Sequence, residues 1–321
     1  MGLYACGGLI SSARNARVVS YRRELTVNQN EIVQIREYFG QVFLEKLERD
    51  LAVYTACWQL SELSLIDYFS VNCLFLCRSQ IYGDAVLKIG NPCRETFAEI
   101  AMLREYGGGR FCRLYEADPE NGVLLLEQIR PGTRLRDVPS LDKRLELFAG
   151  IFTGLHKPPA DPGEYPAYSG WVSRIAGYMG GQPEHWELCV YMRRAEKLYL
   201  EAETIYSRKM LLHGDLHHDN LLLNEQKTYT IIDPKGVVGD PVFEVGRFIL
   251  NEDEDGLPPD EYLCKVRYII KKLKMLLGIP TDIIKKGYFI EMAMANCWNV
   301  ESGEPPDLER VRLAAQILED Q

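Results

Sequence analysis

From Asn28 onward, apolar residues recur at helical spacing, with Ile32, Ile35, Phe39, Val42, Phe43, Leu47 and Leu51 on one stripe and Asn28 or Asn30 placed to cap its start. The stretch reads as one amphipathic helix packed beside a first lobe. Strand patterns follow: 58–65, 73–79 and 84–89 read as three strands, joined by a polar turn over 67–72 and by Tyr82-Gly83-Asp84. Helical spacing returns over 93–106 and stops at Gly107-Gly108-Gly109. Those glycines suit a helix C-cap better than a phosphate cradle, because they close a helix instead of opening one. Two more strands, 111–117 and 123–128, flank the turn Asp118-Pro119-Glu120-Asn121-Gly122, and Arg130-Pro131-Gly132 then ends the apolar run where a hinge would sit.

Beyond that break the pattern is mostly helical, over 141–156, from about 170 to 207, and over 242–250, 260–277 and 282–299. Three short apolar runs, at 210–212, 221–223 and 229–232, read as strands. The expected fold is therefore α+β and bilobal, with a small antiparallel sheet in residues 28–128 and a mostly helical second lobe in 129–321. Residues 1–27, with Arg14, Arg17, Arg22 and Arg23 against Glu24, read as a poorly ordered extension. A length of 321 residues with 46% hydrophobic content is enough for one large core or two smaller ones.

Two polar features interrupt the apolar segments. In Ala85-Val86-Leu87-Lys88-Ile89 the alternation sets Lys88 on the face opposite Leu87 and Ile89, and a lysine in an apolar strand needs a counter-ion. Glu95 and Glu99, on one side of the following helix, are both candidates. The second feature is His213-Gly214-Asp215-Leu216-His217-His218-Asp219-Asn220, a loop held between two strands, followed after a hairpin by Ile231-Ile232-Asp233-Pro234. Loops on rigid strands carry catalytic groups. Asp215, Asn220 and Asp233 match the division of labour in phosphoryl transfer: a carboxylate for the acceptor hydroxyl and two hard oxygen ligands for magnesium. A binuclear metallohydrolase would need histidines from distant loops, and only His156 and His185 remain. A purely structural turn would explain Asp215 with Asn220, but not the third acid at its spacing.

The net charge of -9 argues against a nucleic-acid partner, since phosphate-backbone binding relies on clustered Lys and Arg. No apolar run approaches a membrane span, so no membrane partner is expected. The 9 cysteines include no C-x-x-C pair and read as reduced thiols of a cytoplasmic protein.

His213-Gly214-Asp215 and Asn220, followed by Ile232-Asp233-Pro234-Lys235-Gly236 and Gly239-Asp240-Pro241, resemble the aminoglycoside and hydroxyurea antibiotic-resistance kinase family, in its streptomycin 6-phosphotransferase branch with a protein-kinase-like fold. The resemblance is strongest over 213–241 and looser across 30–310. It implies transfer of the γ-phosphoryl of ATP, with Mg2+, to a hydroxyl of a small molecule, either a streptomycin-like antibiotic or hydroxyurea. It makes Asp215 the expected base, Asn220 and Asp233 the metal ligands, Lys88 with Glu99 the phosphate-side pair, and the backbone of Gln128 and Ile129 the adenine contact. His213 and Asp240 are expected to support the loop, His156 to be structural, and Glu244 and His218 to meet the acceptor. The acids of 244–261 favour a cationic acceptor, which hydroxyurea is not. One departure concerns the first turn, which lacks the glycine that lets backbone approach a triphosphate; Ser70 and Asn72 are the candidates in its place. Two alternatives remain: a metabolite kinase of the same fold, and a nucleotide-binding module without transfer activity.

Overall fold

The computed structural model describes residues 28–66, 71–252 and 256–320. Expectations that fall on residues 1–27, on Ser70 and on Asp253, Glu254 and Asp255 lie outside the described residues. The chain enters through α1 (Gln29–Phe39) and α2 (Gln41–Cys57), where one continuous helix was expected. The break is Gly40, which stands at φ +86°, a conformation that side-chain-bearing residues rarely adopt. Asn28 caps α1, accepting from the Glu31 amide while the Glu31 carboxylate accepts from the Asn28 amide, a reciprocal capping box.

Alternation builds the sheet that follows. Strands β1 (Leu60–Leu65), β2 (Asn72–Ser79), β3 (Gly83–Gly90), β4 (Leu114–Asp118) and β5 (Val123–Glu127) form an antiparallel sheet in the order β1-β2-β3-β5-β4. Helix α3 (Arg94–Tyr106) lies between β3 and β4 in the chain and ends at Gly107 in the left-handed conformation, as a C-cap requires. Phe75, Ala85, Leu87, Ile89, Val123 and Leu125 pack under α1 and α2 with Ile35, Phe43 and Leu47. Leu124 and Leu126 point to the other face and join a larger core that runs into the helical part of the chain. The period of two thus divides the sheet into a face covered by the entry helices and a face turned to the cleft, where Lys88 sits.

Past β6 (Pro131–Arg134) come α4 (Leu141–Phe152), α5 (Tyr168–Met179) and α6 (Trp186–Glu203). Four short strands follow: β7 (Met210–Leu212), β8 (Leu221–Asn224), β9 (Tyr229–Ile231) and β10 (Val237–Gly239). They pair antiparallel as β10-β7 and β6-β8-β9, so that both ends of the 213–220 loop are anchored by hydrogen-bonded backbone. The chain closes with α7 (Glu244–Leu250), α8 (Pro259–Leu277), α9 (Thr281–Glu301) and α10 (Leu308–Glu319). The last of these was not anticipated, although Asp307 caps it and Val311, Ala314 and Ile317 form its buried stripe. Among the described residues, no helix is long and apolar enough to cross a membrane.

Two details hold the helical part against the loop. Helix α7 lies so close to α9 that a Cβ on Gly246 would stand 2.4 Å from the Gly287 carbonyl oxygen. Just beyond α7, the buried Glu252 collects three partners from separate elements. Arg144 of α4 reaches it with Nε and Nη2 at 2.7 Å each, His218 of the loop donates Nε2 at 2.7 Å, and Lys265 of α8 donates to its carbonyl at 2.6 Å.

Two predictions follow from these contacts. Gly246→Ala forces backbone apart and is expected to cost about 1–3 kcal/mol of unfolding free energy or more; an unchanged urea midpoint would refute the close approach. Burial works to raise the Glu252 carboxyl, but the hydrogen bonds from Arg144 and His218 outweigh it and hold it down to about 2, from an ordinary value of 4.5. Its stabilisation is therefore complete above pH 4.5 and lost as pH falls toward 2. Glu252→Ala should cost about 3–5 kcal/mol at neutral pH, because it removes the buried carboxylate that Arg144 and His218 share, and the difference from wild type should shrink through the acid range. A pH-independent difference would contradict this assignment.

Candidate active site

Lys88 stands on the cleft face of β3 and is only 5% exposed. Its ammonium donates to both carboxylate oxygens of Glu99 at 2.8 Å and to Asp233 Oδ1 at 2.5 Å. The residue on α3 that meets it is therefore Glu99 and not Glu95. Burial alone would discharge a lysine, but Asp233 and then Glu99 outweigh it and keep the ammonium protonated. The Lys88 charge in turn is the main cause that holds the Asp233 carboxyl well below the usual carboxylate range, against the effect of burial. Asp233 itself sits at φ +55°, a left-handed conformation that costs a non-glycine residue energy and that the surrounding contacts must enforce.

His213 makes the connection between Asp233 and the loop. Fully buried, its Nε2 donates to the Ile232 carbonyl at 2.8 Å and its Nδ1 accepts from the Asp215 amide at 3.0 Å. Burial lowers its pKa, so the imidazole stays neutral with one nitrogen a donor and the other an acceptor. The imidazole therefore joins the backbone on either side of the site. Asn220 turns its Nδ2 to the Asp215 carbonyl at 3.0 Å, which leaves Oδ1 as the end of the amide not spent on that bond. The Asp215 carboxylate lies 3.7 Å from His217 Nε2 and 3.5 Å from Arg247 Nε. Burial works to raise it, but His217 and Arg247 prevail and keep it ionised well below the ordinary range.

Two cavities bear on the expected contacts, and only the second shares residues with this cluster. One of about 400 Å³ is lined by Gln128 and Ile129 with Phe111, Asp84 and Thr230. The other, of about 470 Å³, is lined by Asn72, Lys88, Glu99 and Lys235, with Tyr38 and Phe39 from the end of α1. Gly90 gives Asn72 its space, since a Cβ there would fall 1.8 Å from Asn72 Oδ1.

Two expected acceptor contacts are corrected. Glu244 is 2% exposed, with Oε1 accepting from the Gly214 amide at 2.7 Å and Oε2 accepting from His156 Nε2 at 2.6 Å. It props the loop from below and has no free edge for a ligand; His156 is its partner. His218 is 1% exposed, bound to Glu252 and stacked on Phe248 with ring centroids 4.0 Å apart. It opens the tight turn 218–220, and the backbone points it inward. Asp240 accepts from the Val242 and Arg208 amides at 3.2 and 3.1 Å, and in addition takes the Arg208 guanidinium at 3.0 Å through two nitrogens. Asp219 is clamped by Arg136 at 2.8–3.0 Å.

The sequence reading missed the group beside Asp215. Arg247 on α7, Glu291 on α9 and Tyr168 on α5 form a buried chain: Arg247 Nε lies 3.1 Å from Glu291 Oε2, and the Tyr168 hydroxyl donates to Glu291 Oε1. Trp171 and Trp298 meet edge to face beside it, centroids 6.1 Å apart, and Trp171 presses on Gly214, where a Cβ would come within 2.8 Å of its ring. The available signal was Arg247 itself, a single cation set one turn after Glu244 in an otherwise apolar helix.

Residues 58–276 match the family model described as aminoglycoside/hydroxyurea antibiotic resistance kinase. The streptomycin 6-kinase of Streptomyces griseus is 31% identical over 229 residues, covering 68% of this chain and 72% of that protein. The hydroxyurea phosphotransferase of Kitasatospora aureofaciens is 29% identical over 245 residues, covering 73% of this chain and 68% of that one. Among solved structures, a thermostable mutant of an aminoglycoside phosphotransferase, in ternary complex with ADP and hygromycin B, superposes with a TM-score of 0.55 at 14% identity, covering 84% of this chain and 96% of that chain. The fold is thus protein-kinase-like and α+β, and the chain belongs to the aminoglycoside/hydroxyurea antibiotic resistance kinase family as a phosphotransferase enzyme.

Proposed function

We propose that this phosphotransferase moves the γ-phosphoryl of ATP to a hydroxyl of a small antibiotic-type molecule, of the kind named for its relatives, streptomycin or hydroxyurea. The observation that carries the reading is the Lys88 ammonium held between Glu99 and Asp233, with Asp215 and Asn220 tied to the same frame through His213. That is the division of labour phosphoryl transfer requires: fixed positive charge at the phosphates, oxygen ligands beside it and a carboxylate at the acceptor. An ADP complex of a protein with the same fold supports nucleotide binding in the cleft. Residues 28–128 would then cover the nucleotide and residues 129–321 would carry the acceptor site, in the cytoplasm, where ATP is abundant.

In this reading the backbone at Gln128 and Ile129, just beyond β5, receives the adenine. Lys88 neutralises phosphate oxygens, and Glu99 keeps its ammonium in place between turnovers. Asn72 borders the same cavity as Lys88 and offers a polar contact where the first turn lacks glycine. The Asp215 carboxylate orients the acceptor hydroxyl and accepts its proton as the oxygen attacks phosphorus. Asn220 Oδ1 and the Asp233 carboxylate suit Mg2+, which takes one or two protein oxygens and completes its shell with phosphates and water. When bound, Mg2+ supplies charge neutralisation at the β- and γ-phosphates. His213 and Asp240 keep the loop and the following segment in register.

The decisive assay is ADP release from Mg-ATP with and without streptomycin or hydroxyurea. Asp215→Asn is expected to lower turnover by about two to four orders of magnitude while nucleotide affinity stays near wild type. Near-normal turnover in that variant would take the base role from Asp215. Asp233→Ala is expected to weaken Mg-ATP binding as well as turnover, measured by calorimetric titration with and without Mg2+. Equal nucleotide affinity in the two proteins would assign the metal to other ligands.

A further inference from the structure

Arg247 is enclosed, with a side chain 14% exposed, yet it spends little of its hydrogen-bonding capacity on the protein. Its two ion pairs, to Asp215 at 3.5 Å and Glu291 at 3.1 Å, make their closest approach at Nε. The guanidinium carbon lies 5.2 Å from the centre of the Trp298 ring. Among the described residues, no hydrogen bond is made by its outer nitrogens Nη1 and Nη2. A guanidinium has donors only; Nε is fully buried without a well-formed hydrogen bond, while the outer nitrogens are not cut off from solvent and stay available. A ligand oxygen placed beside Asp215 would satisfy them.

We propose that Arg247 orients the acceptor: its outer N–H groups donate to a second oxygen, a carbonyl or neighbouring hydroxyl, on the molecule whose reacting hydroxyl lies against Asp215, with Trp171 and Trp298 as the adjoining apolar wall. The inference rests on the phosphotransfer reading and names the class of substrate for it. Asp215 is 3.5 Å from Arg247 Nε. With ordinary hydrogen-bond lengths, oxygens held by the two side chains stand about 3–5 Å apart, the span of oxygens on neighbouring carbons or across a hydroxyurea-type N–O and C=O.

Charge points the same way. Of the acids that favoured a cationic acceptor, the two described ones that pack beneath the loop are taken up, Glu244 by Gly214 and His156 and Glu252 by Arg144 and His218; the buried Glu291 nearby is held by Tyr168 and Arg247. Asp215 keeps an accessible edge, its side chain 24% exposed, and it already faces a guanidinium. The chamber offers donors to oxygen lone pairs, and Arg247, which already lies over the Trp298 ring, would repel an ammonium placed beside it.

The test is steady-state kinetics of the full chain with hydroxyurea, streptomycin and choline, the last having one hydroxyl, a cationic head and no second oxygen. Wild type is expected to use the oxygen-rich acceptors and to be at least about 100-fold poorer in kcat/KM on choline. Arg247→Gln is expected to raise the acceptor KM about 10–100-fold while the KM for ATP stays within about threefold, and Arg247→Lys to recover only part of the loss, since an ammonium cannot fork. An unchanged acceptor KM in Arg247→Gln, or choline as the preferred acceptor, would overturn the proposal. Should that variant fail to fold, wild type with hydroxyurea against hydroxylamine, which lacks the carbonyl, decides: equal kcat/KM rejects the second contact. Acceptor-independent ADP release with every compound would reject the phosphotransfer reading itself and the inference with it.

Discussion

A buried ammonium needs its counter-charges before it can leave water, and the position of Lys88 constrains much of this structure. Its partners come from different parts of the chain, Glu99 from α3 and Asp233 from the turn after β9, so one ion cluster links the sheet to the catalytic loop. Removing Lys88 would leave two carboxylates facing each other in a site of low dielectric. The same cluster keeps Asp233 ionised and holds it in a left-handed backbone conformation that it would not choose alone.

The loop is equally constrained from the helical side. His213 bridges the Asp215 amide and the Ile232 carbonyl, Glu244 receives the Gly214 amide, and His218 locks into the Glu252 hub. These groups carry little chemistry themselves. They saturate the hydrogen bonds of a buried irregular backbone, which would otherwise be unstable, and so leave Asp215, Asn220 and Asp233 with defined directions. A preorganised loop of this kind suits a reaction in which positioning and charge neutralisation do most of the catalysis.

Acidic residues near the acceptor side illustrate how a charge run can mislead. Read as a string, Glu244 and Glu252 belong to an acidic surface able to draw in a cation. Folded, both are interior, because α7 packs on α9 and carries them beneath the loop, where Arg144, His156 and His218 meet them. What remains beside Asp215 is an arginine and two tryptophans, a different recognition chemistry from the one the run suggests.

Local information was sufficient for much of the fold. The period of two in 73–79 and 84–89, the helical spacing of 93–106, and the packet from His213 to Asn220 with Asp233 are short-range signals, and each coincides with an element or turn of the structure. Lys88 was legible because a lone cation in an apolar strand demands a partner. The break at Gly40 was legible in principle but outweighed by the continuous apolar stripe around it, and α10 was overlooked beside the longer helices before it. The choice of Glu99 over Glu95, the inward turn of Glu244 and His218, and the meeting of Arg247, Glu291 and Tyr168 depend on which helix faces which. Sequence alone determined the elements and the reactive residue types, because those follow from periodicity and intrinsic chemistry. Only tertiary packing decided which acids are buried supports and which keep an open edge, because burial and partner choice are properties of residues brought together from distant parts of the chain.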